Sequence, residues 1–235
     1  MADRMALVLG ASGSVGQALV DELVRSRAFA RVVVVVRRLP EPAWGAPVLP
    51  LLVPDIRPGL LASAVEEAAR AWQGEVTGFS VLGVGAGTAR MSIEEHRAVD
   101  VELNAAFARG LRASGQVGHL AFMSAIGADA TARATGSGAA GMPRYARVKG
   151  EAEAAVLREG PPVVSIFRPA MILGSRHTPV LLATLLPVFA PLTPARFRSI
   201  RTTEIAQAMV AASLRPPLQS AVHAYPEMMR LIAGD

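Results

Sequence analysis

A chain of 235 residues that is 51% hydrophobic and only 18% charged has the material for one large globular domain, which excludes a disordered or fibrous protein. The absence of cysteine excludes disulfides, thiolate catalysis and thiolate metal sites. The formal charge of +5 comes from arginines scattered along the chain, with Lys149 the sole lysine, so no nucleic-acid partner is expected and a phosphate-bearing small molecule is the favoured anion.

Met1-Ala2-Asp3-Arg4 runs straight into a short apolar segment without the long apolar stretch of a signal peptide, and a cytoplasmic protein is expected. Met5–Gly10 reads as a first strand and Val15–Arg27 as the first helix. Arg31–Val36, with five consecutive valines, suits a strand buried on both faces. Val48–Val53 is a third strand, Leu60–Trp72 a helix and Phe79–Val84 a buried fourth strand. Ser92–Ser114 is a long helical segment, Leu120–Ser124 a fifth strand, and Thr131–Gly141 a small-residue loop with no apolar period. Tyr145–Glu159 is helical, closed by Gly160-Pro161-Pro162, and Val163–Phe167 is a sixth strand. Helices are expected near Pro179–Phe189 and over Thr203–Leu214, followed by a short tail. The apolar stretch Val180–Leu192 is too short to span a membrane and carries Pro187 and Pro191, so no membrane partner is expected. This alternation predicts an α/β fold, a doubly wound parallel sheet. All 235 residues form a single domain on this reading, with residues 170–235 as a small C-terminal substrate-side lobe.

Gly10-Ala11-Ser12-Gly13-Ser14-Val15-Gly16 lies between the first strand and the first helix, the context in which glycines at i, i+3 and i+6 signify a dinucleotide site. The glycines allow a tight turn and close backbone approach to a pyrophosphate. The helix N-terminus supplies N–H groups and a positive dipole, and Ser12 and Ser14 can add hydroxyl donors. About 20 residues past such glycines an NAD site carries a carboxylate for the ribose hydroxyls. Here Val36 is followed by Arg37-Arg38, two guanidiniums able to pair with a 2′-phosphate. NADP is therefore expected over NAD.

Tyr145 and Lys149 are spaced i, i+4 on one helix face. An ammonium beside a phenol favours phenolate and makes the hydroxyl a proton donor and acceptor near neutrality. With two tyrosines and one lysine in 235 residues, chance places the lysine four past a tyrosine roughly 2 times in 235. Ser124 ends the fifth strand, at the carboxyl edge where doubly wound sheets bind ligands, and its hydroxyl could hold a substrate carbonyl. His96, His119, His177 and His223 have no metal-site spacing, although His177 could face substrate. Glu94, Glu95 and Glu102 read as a solvated helix face.

With GASGSVG, VVRR, FMSAIGA around Ser124, YARVKGEAE and FRPAMILG in place, the chain resembles the short-chain dehydrogenase/reductase superfamily over nearly its whole length. It is most similar to the atypical or extended members, in particular the Tat-interacting oxidoreductase-like proteins. The resemblance implies a Rossmann fold and a catalytic set of Ser124, Tyr145 and Lys149, with Tyr145 as acid/base and Lys149 also holding the nicotinamide ribose. It implies further that Asp55-Ile56 lie beside the adenine, that Gly83-Val84-Gly85 line the cofactor, and that Pro169-Ala170-Met171 touch the nicotinamide end. It makes the chain an NADP-dependent enzyme that reduces a carbonyl or oxidises an alcohol on a small, apolar substrate. Alternatives within the superfamily are an NADPH-binding regulator and an epimerase or dehydratase. Relatives dimerise through helices matching Ser92–Ser114 and Tyr145–Glu159, while atypical members are monomers, so monomer or homodimer is expected. The resemblance has two departures. Val99-Asp100 stands where relatives have a Val-Asn pattern, with Asn104 one turn later, and the loop at 129–143 lengthens the gap from Ser124 to Tyr145.

Overall fold

The computed structural model describes residues 3–39, 41, 44–174 and 194–235. The five valines form β2 (Arg31–Val36), and their alternation shows why no polar residue relieves the run. Val32, Val34 and Val36 enter one hydrophobic layer, while Val33 and Val35 enter the other. Beside it lie β1 (Arg4–Leu9) and β3 (Val48–Leu52). Next come β4 (Glu75–Ser80), β5 (Val117–Met123) and β6 (Val163–Phe167). With β9 (Ala221–His223) these make a parallel seven-stranded sheet in the order β3-β2-β1-β4-β5-β6-β9. The order reverses between β1 and β4, which opens a crevice at the carboxyl ends of those two strands. A separate pair joins β7 (Ile172–Leu173) to β8 (Ile200–Arg201).

Helices cover both faces. On one face α1 (Ser14–Ser26) packs against α6 (Thr202–Leu214), with α7 (Tyr225–Ala233) beside it. Leu19, Leu23, Phe79, Ile205 and Met209 fill that layer. On the other face α2 (Pro58–Arg70), α4 (Asn104–Ala113) and α5 (Pro143–Glu159) bury Leu61, Phe107, Leu111, Phe122 and Val156. At roughly 1.5–3 kcal/mol for each large side chain taken out of water, these two layers hold the sheet edge that carries the site.

Two sequence expectations change. The fourth strand lies at Glu75–Ser80, not Phe79–Val84, because its ladder starts opposite Arg4 of β1. Gly78 of that strand sits where the Leu111 side chain presses on the sheet: a Cβ there would lie 2.2 Å from Leu111 Cδ1. The expected tail is structured, since β9 extends the main sheet beyond β6 and α7 follows it. Within the expected lobe over 170–235, α6 and β9 are thus built onto the main sheet. His177 and the helix expected near Pro179–Phe189 lie outside the described residues. The loop at 131–141 carries neither helix nor strand. Among the described residues no helix is long and apolar enough to cross a membrane.

His119 of β5 is buried and shares a 2.9 Å hydrogen bond with Ser165 of β6. Burial holds its imidazole down to about 4 from the usual 6.5, with His223 adding a smaller push the same way. The folded state therefore favours the neutral ring. Stability is complete above the unfolded value and is lost as pH falls from 6.5 towards 4. Between pH 7 and pH 5 this amounts to about 2 kcal/mol. His119→Gln, which keeps a hydrogen-bonding side chain but does not titrate, should flatten that dependence. Urea midpoints measured against pH check this, and equal slopes in the two proteins would contradict it.

Candidate active site

The chain leaves β1 at Leu9 and turns at Gly10, whose φ is +91°. A Cβ at Gly10 would lie 2.6 Å from Leu82 N, and one at Gly16 would lie 2.1 Å from Gly10 O. Both glycines are required by the protein's own packing. Gly13 is different: it is exposed, and a Cβ there would meet nothing closer than Gly10 O at 3.5 Å, an ordinary contact. Nothing inside the protein demands a glycine at this position. The loop runs into α1, whose N-terminus has no side-chain cap and no acidic residue in its first turn. Such an end presents N–H groups and a positive dipole to an anion. Ser12 is exposed, Ser14 half-buried and Val15 buried.

Arg37 and Arg38 follow β2 directly and are exposed. Asp55 is exposed and forms an ion pair with Arg57 at 2.5 Å, while Ile56 is half-buried. Gly83, Val84 and Gly85 follow β4 on the same edge of the sheet, and Val81 N donates to Leu9 O at 3.0 Å. Pro169 accepts from Ile126 N at 2.9 Å and Met171 accepts from Ile200 N at 2.9 Å. These bonds place the 169–171 segment between the end of β5 and β8, with Ala170 half-buried and Met171 exposed.

Ser124 follows the last residue of β5, its N–H donating to Phe167 O at 2.7 Å. Its side chain is buried, and the hydroxyl has no hydrogen-bond partner among the described residues. An orphaned buried hydroxyl forfeits about 1–3 kcal/mol, which a substrate or cofactor oxygen can restore. The following turn lies against α5 through Asp129 N donating to Ala146 O at 2.9 Å. No hydrogen bond joins Ser124 to Tyr145, although the two stand on adjoining segments.

Tyr145 lies in the first turn of α5, which opens on Pro143. Pro fits there because its missing N–H is unpaired at that position anyway. One turn on is Lys149, buried, with Nζ 5.8 Å from the centre of the Tyr145 ring. The helix expected at Ser92–Ser114 is present, but in three pieces. A capping box of Ser92 and Glu95 starts α3 (Ile93–Arg97), a π-helical turn spans Ala98–Leu103, and α4 follows. Such turns are rare and recur at functional sites. This one places Asp100 inside the protein, where its Oδ1 accepts from Lys149 Nζ at 3.2 Å and its Oδ2 from Val84 N at 3.4 Å. Asn104 donates to Asp100 O at 2.8 Å and to Leu82 O at 3.4 Å, and Ser80 Oγ hydrogen-bonds Asn104 Oδ1. A Cβ at Gly83 would lie 3.2 Å from both Lys149 Nζ and Asp100 Oδ1, so that residue passes over the pair with only its backbone. His96 is fully buried, its ring stacked on Tyr145 at 5.8 Å and its Nε2 3.6 Å from Asp100 Oδ2.

The electrostatics of the pair are decided by mutual attraction. Burial alone pushes the Asp100 carboxyl up, but Lys149 and His96 outweigh it and hold the acid below its ordinary range. Burial alone pushes the Lys149 ammonium down, but Asp100, with Tyr145 and Glu153 helping, raises it above its ordinary range. Both groups are therefore charged at neutral pH. Removing one partner of such a pair is costly because the other charge stays buried. Glu153, one turn beyond Lys149, is bonded through both carboxylate oxygens to Arg168. Among the described residues no His/Cys/Asp/Glu cluster could hold a metal.

Asp100 and His96 were the residues hardest to assign from sequence. Asp100 reads as a departure from a family pattern and His96 as a bland singleton. The available signal was His96, Asp100 and Asn104 at i, i+4 and i+8, a polar stripe that the structure turns inward. Glu94, Glu95 and Glu102 are exposed, as expected.

No protein-family model matches the chain, and no curated protein matches it in sequence. Solved structures do match its fold. MoeE5, in complex with UDP-glucose and NAD, is 17% identical with a TM-score of 0.63, over 97% of this chain and 81% of that one. The UDP-glucose 4-epimerase of Thermotoga maritima, with UDP-glucose, is 14% identical with a TM-score of 0.65, over 94% and 76%. The yeast methylglyoxal/isovaleraldehyde reductase Gre2, complexed with NADPH, is 15% identical with a TM-score of 0.65, over 94% and 78%. The likeness is one of architecture across nearly the whole chain: this protein shares the doubly wound α/β fold of these enzymes.

Proposed function

We propose that the protein is an NADP-dependent oxidoreductase of the short-chain dehydrogenase/reductase type, which reduces a carbonyl or oxidises an alcohol on a small, apolar substrate. The observation that carries this reading is Lys149, the only lysine of the chain, buried and charged beneath Tyr145 beside the crevice of the sheet. A protein that only binds a dinucleotide has less need of a phenol with an ammonium behind it.

The loop supports a pyrophosphate site, since Gly13 is exposed with no tight contact inside the protein, which leaves its backbone open to an approaching ligand. Gly10 to Gly16 and the start of α1 would hold the phosphates, and Arg37 and Arg38 would hold a 2′-phosphate. Asp55 and Ile56 would lie beside the adenine, Gly83 to Gly85 along the middle, and Pro169 to Met171 at the nicotinamide end. When bound, the cofactor supplies or accepts hydride. The chain's own residues then do the rest. Ser124 donates its free hydroxyl to the substrate oxygen and orients it. Tyr145 gives that oxygen a proton in reduction and takes one back in oxidation. Lys149 holds positive charge against the phenol, so that the tyrosine is electrostatically supported when its proton leaves.

An epimerase or dehydratase reading is favoured by the UDP-sugar complexes among the structures of like fold. It predicts substrate conversion without net change in the cofactor. A panel of aldehydes and ketones with NADPH, followed by nicotinamide absorbance, separates the two. Stoichiometric NADPH oxidation supports the oxidoreductase. Conversion of a nucleotide sugar with no net oxidation would replace it by the epimerase, and cofactor binding without turnover of either class would leave a regulator.

Arg37→Ala combined with Arg38→Ala should weaken NADPH binding by about tenfold to a hundredfold, the worth of one or two charge-assisted bonds. NADH binding should change less than about threefold. Equal losses for the two cofactors in a calorimetric titration would contradict the 2′-phosphate assignment.

A further inference from the structure

The geometry points to Asp100 as a positioning residue that sets how strongly Lys149 acts on Tyr145. The inference rests on Tyr145 being the acid/base of the proposed reaction. Asp100 does not touch the reacting atoms. It holds Lys149 Nζ at 3.2 Å from one oxygen, while the other oxygen accepts from Val84 N. The ammonium is thereby fixed between the helix and the strand-four crossing, 5.8 Å from the phenol ring.

A carboxylate this close also offsets part of the ammonium's field at the phenol. An unopposed buried cation would favour phenolate strongly, since charges interact several times more strongly inside a protein than in water. With Asp100 in place the phenol faces an ion pair instead of a lone cation. That suits a group whose task is to donate a proton to a carbonyl oxygen. The π-helical turn at Ala98–Leu103 is what brings the carboxylate to this spot, and Asn104 and Ser80 brace it from behind.

The other charged groups around the cluster are accounted for. From α3, His96 faces both Asp100 and the Tyr145 ring. From α5, Glu153 faces Lys149 but is engaged by Arg168. Glu151, on the same helix, is engaged by Arg97 and Arg147. The segment after β4 contributes only backbone, through Gly83 and Val84.

The chain has two tyrosines, Tyr145 and Tyr225. In a Tyr225→Phe background, ultraviolet difference titration of the phenolate band therefore reads Tyr145 alone, with no need for turnover. Asp100→Asn keeps an oxygen for the Lys149 hydrogen bond but removes the charge. It should move the phenol's ionisation midpoint down by about one pH unit or more. Glu151→Gln should leave the midpoint in place. If Asp100→Asn does not fold, Lys149→Gln tests the same field from the other side, and the midpoint should rise by about one unit. A lower melting temperature with an unmoved midpoint would mean that Asp100 is a structural brace only, and would overturn the inference. A shifted midpoint in a protein that turns over no carbonyl would sustain the inference while overturning the proposed reaction. Where turnover is found, the pH profile of carbonyl reduction should move down with the midpoint in Asp100→Asn.

Discussion

Tyr145→Phe should lower turnover by about a hundredfold to ten-thousandfold, the range associated with losing a positioned proton donor. NADPH affinity should stay within about twofold, because the change removes one oxygen and leaves the ring. The ring is stacked on His96 and sits over Lys149, so phenylalanine retains its packing on α5. The buried ammonium keeps Asp100 as partner and the fold should melt close to wild type. A loss of that size in kcat with binding intact is the mark of an interaction made in the transition state. Wild-type turnover by Tyr145→Phe would remove the phenol from the chemistry.

Gly16→Ala should be the most disruptive single methyl in the site. The new Cβ would meet Gly10 O at 2.1 Å and Ala11 backbone carbons at 2.7 and 2.8 Å. All three are backbone atoms of the turn between β1 and α1, so nothing flexible can move aside. The turn and the helix must separate, at a cost on the order of 4 kcal/mol. That should lower the melting temperature by roughly 8–15 °C and abolish NADPH binding. Gly13→Ala is the instructive companion. Its Cβ has space inside the protein, since the nearest atom is 3.5 Å away, so stability should hold while NADPH affinity falls. Thermal melts and cofactor titrations on both variants separate glycine for packing from glycine for a ligand. An unchanged NADPH affinity in Gly13→Ala would mean that nothing approaches the loop there.

What the sequence made legible was what is local along the chain. Gly10, Gly13 and Gly16 lie within seven residues between a strand and a helix, and Tyr145 and Lys149 lie one turn apart. Those spacings survive folding unchanged. The valine run of β2 announced burial on both faces because no tertiary information is needed to see it. What stayed hidden depended on partners distant in sequence. Glu75 belongs to a strand only because Arg4 stands opposite it, and Gly78 is tolerated there because Leu111 fills the gap. Ala221–His223 is too short to show a period and becomes a strand by pairing with β6. Asp100 was visible as a departure from a pattern. Its role was not, because a π-turn shifts the helix face and aims it at Lys149, 49 residues away.

Every role proposed for the site depends on a nicotinamide dinucleotide held at the Gly10–Gly16 loop, with its 2′-phosphate recognised by Arg37 and Arg38. Calorimetric titration of the purified protein with NADPH, and separately with NADH, tests it most directly. A single saturable site per chain, clearly tighter for NADPH, is the expected result. No heat of binding with either cofactor would contradict both the site and the reaction proposed for it.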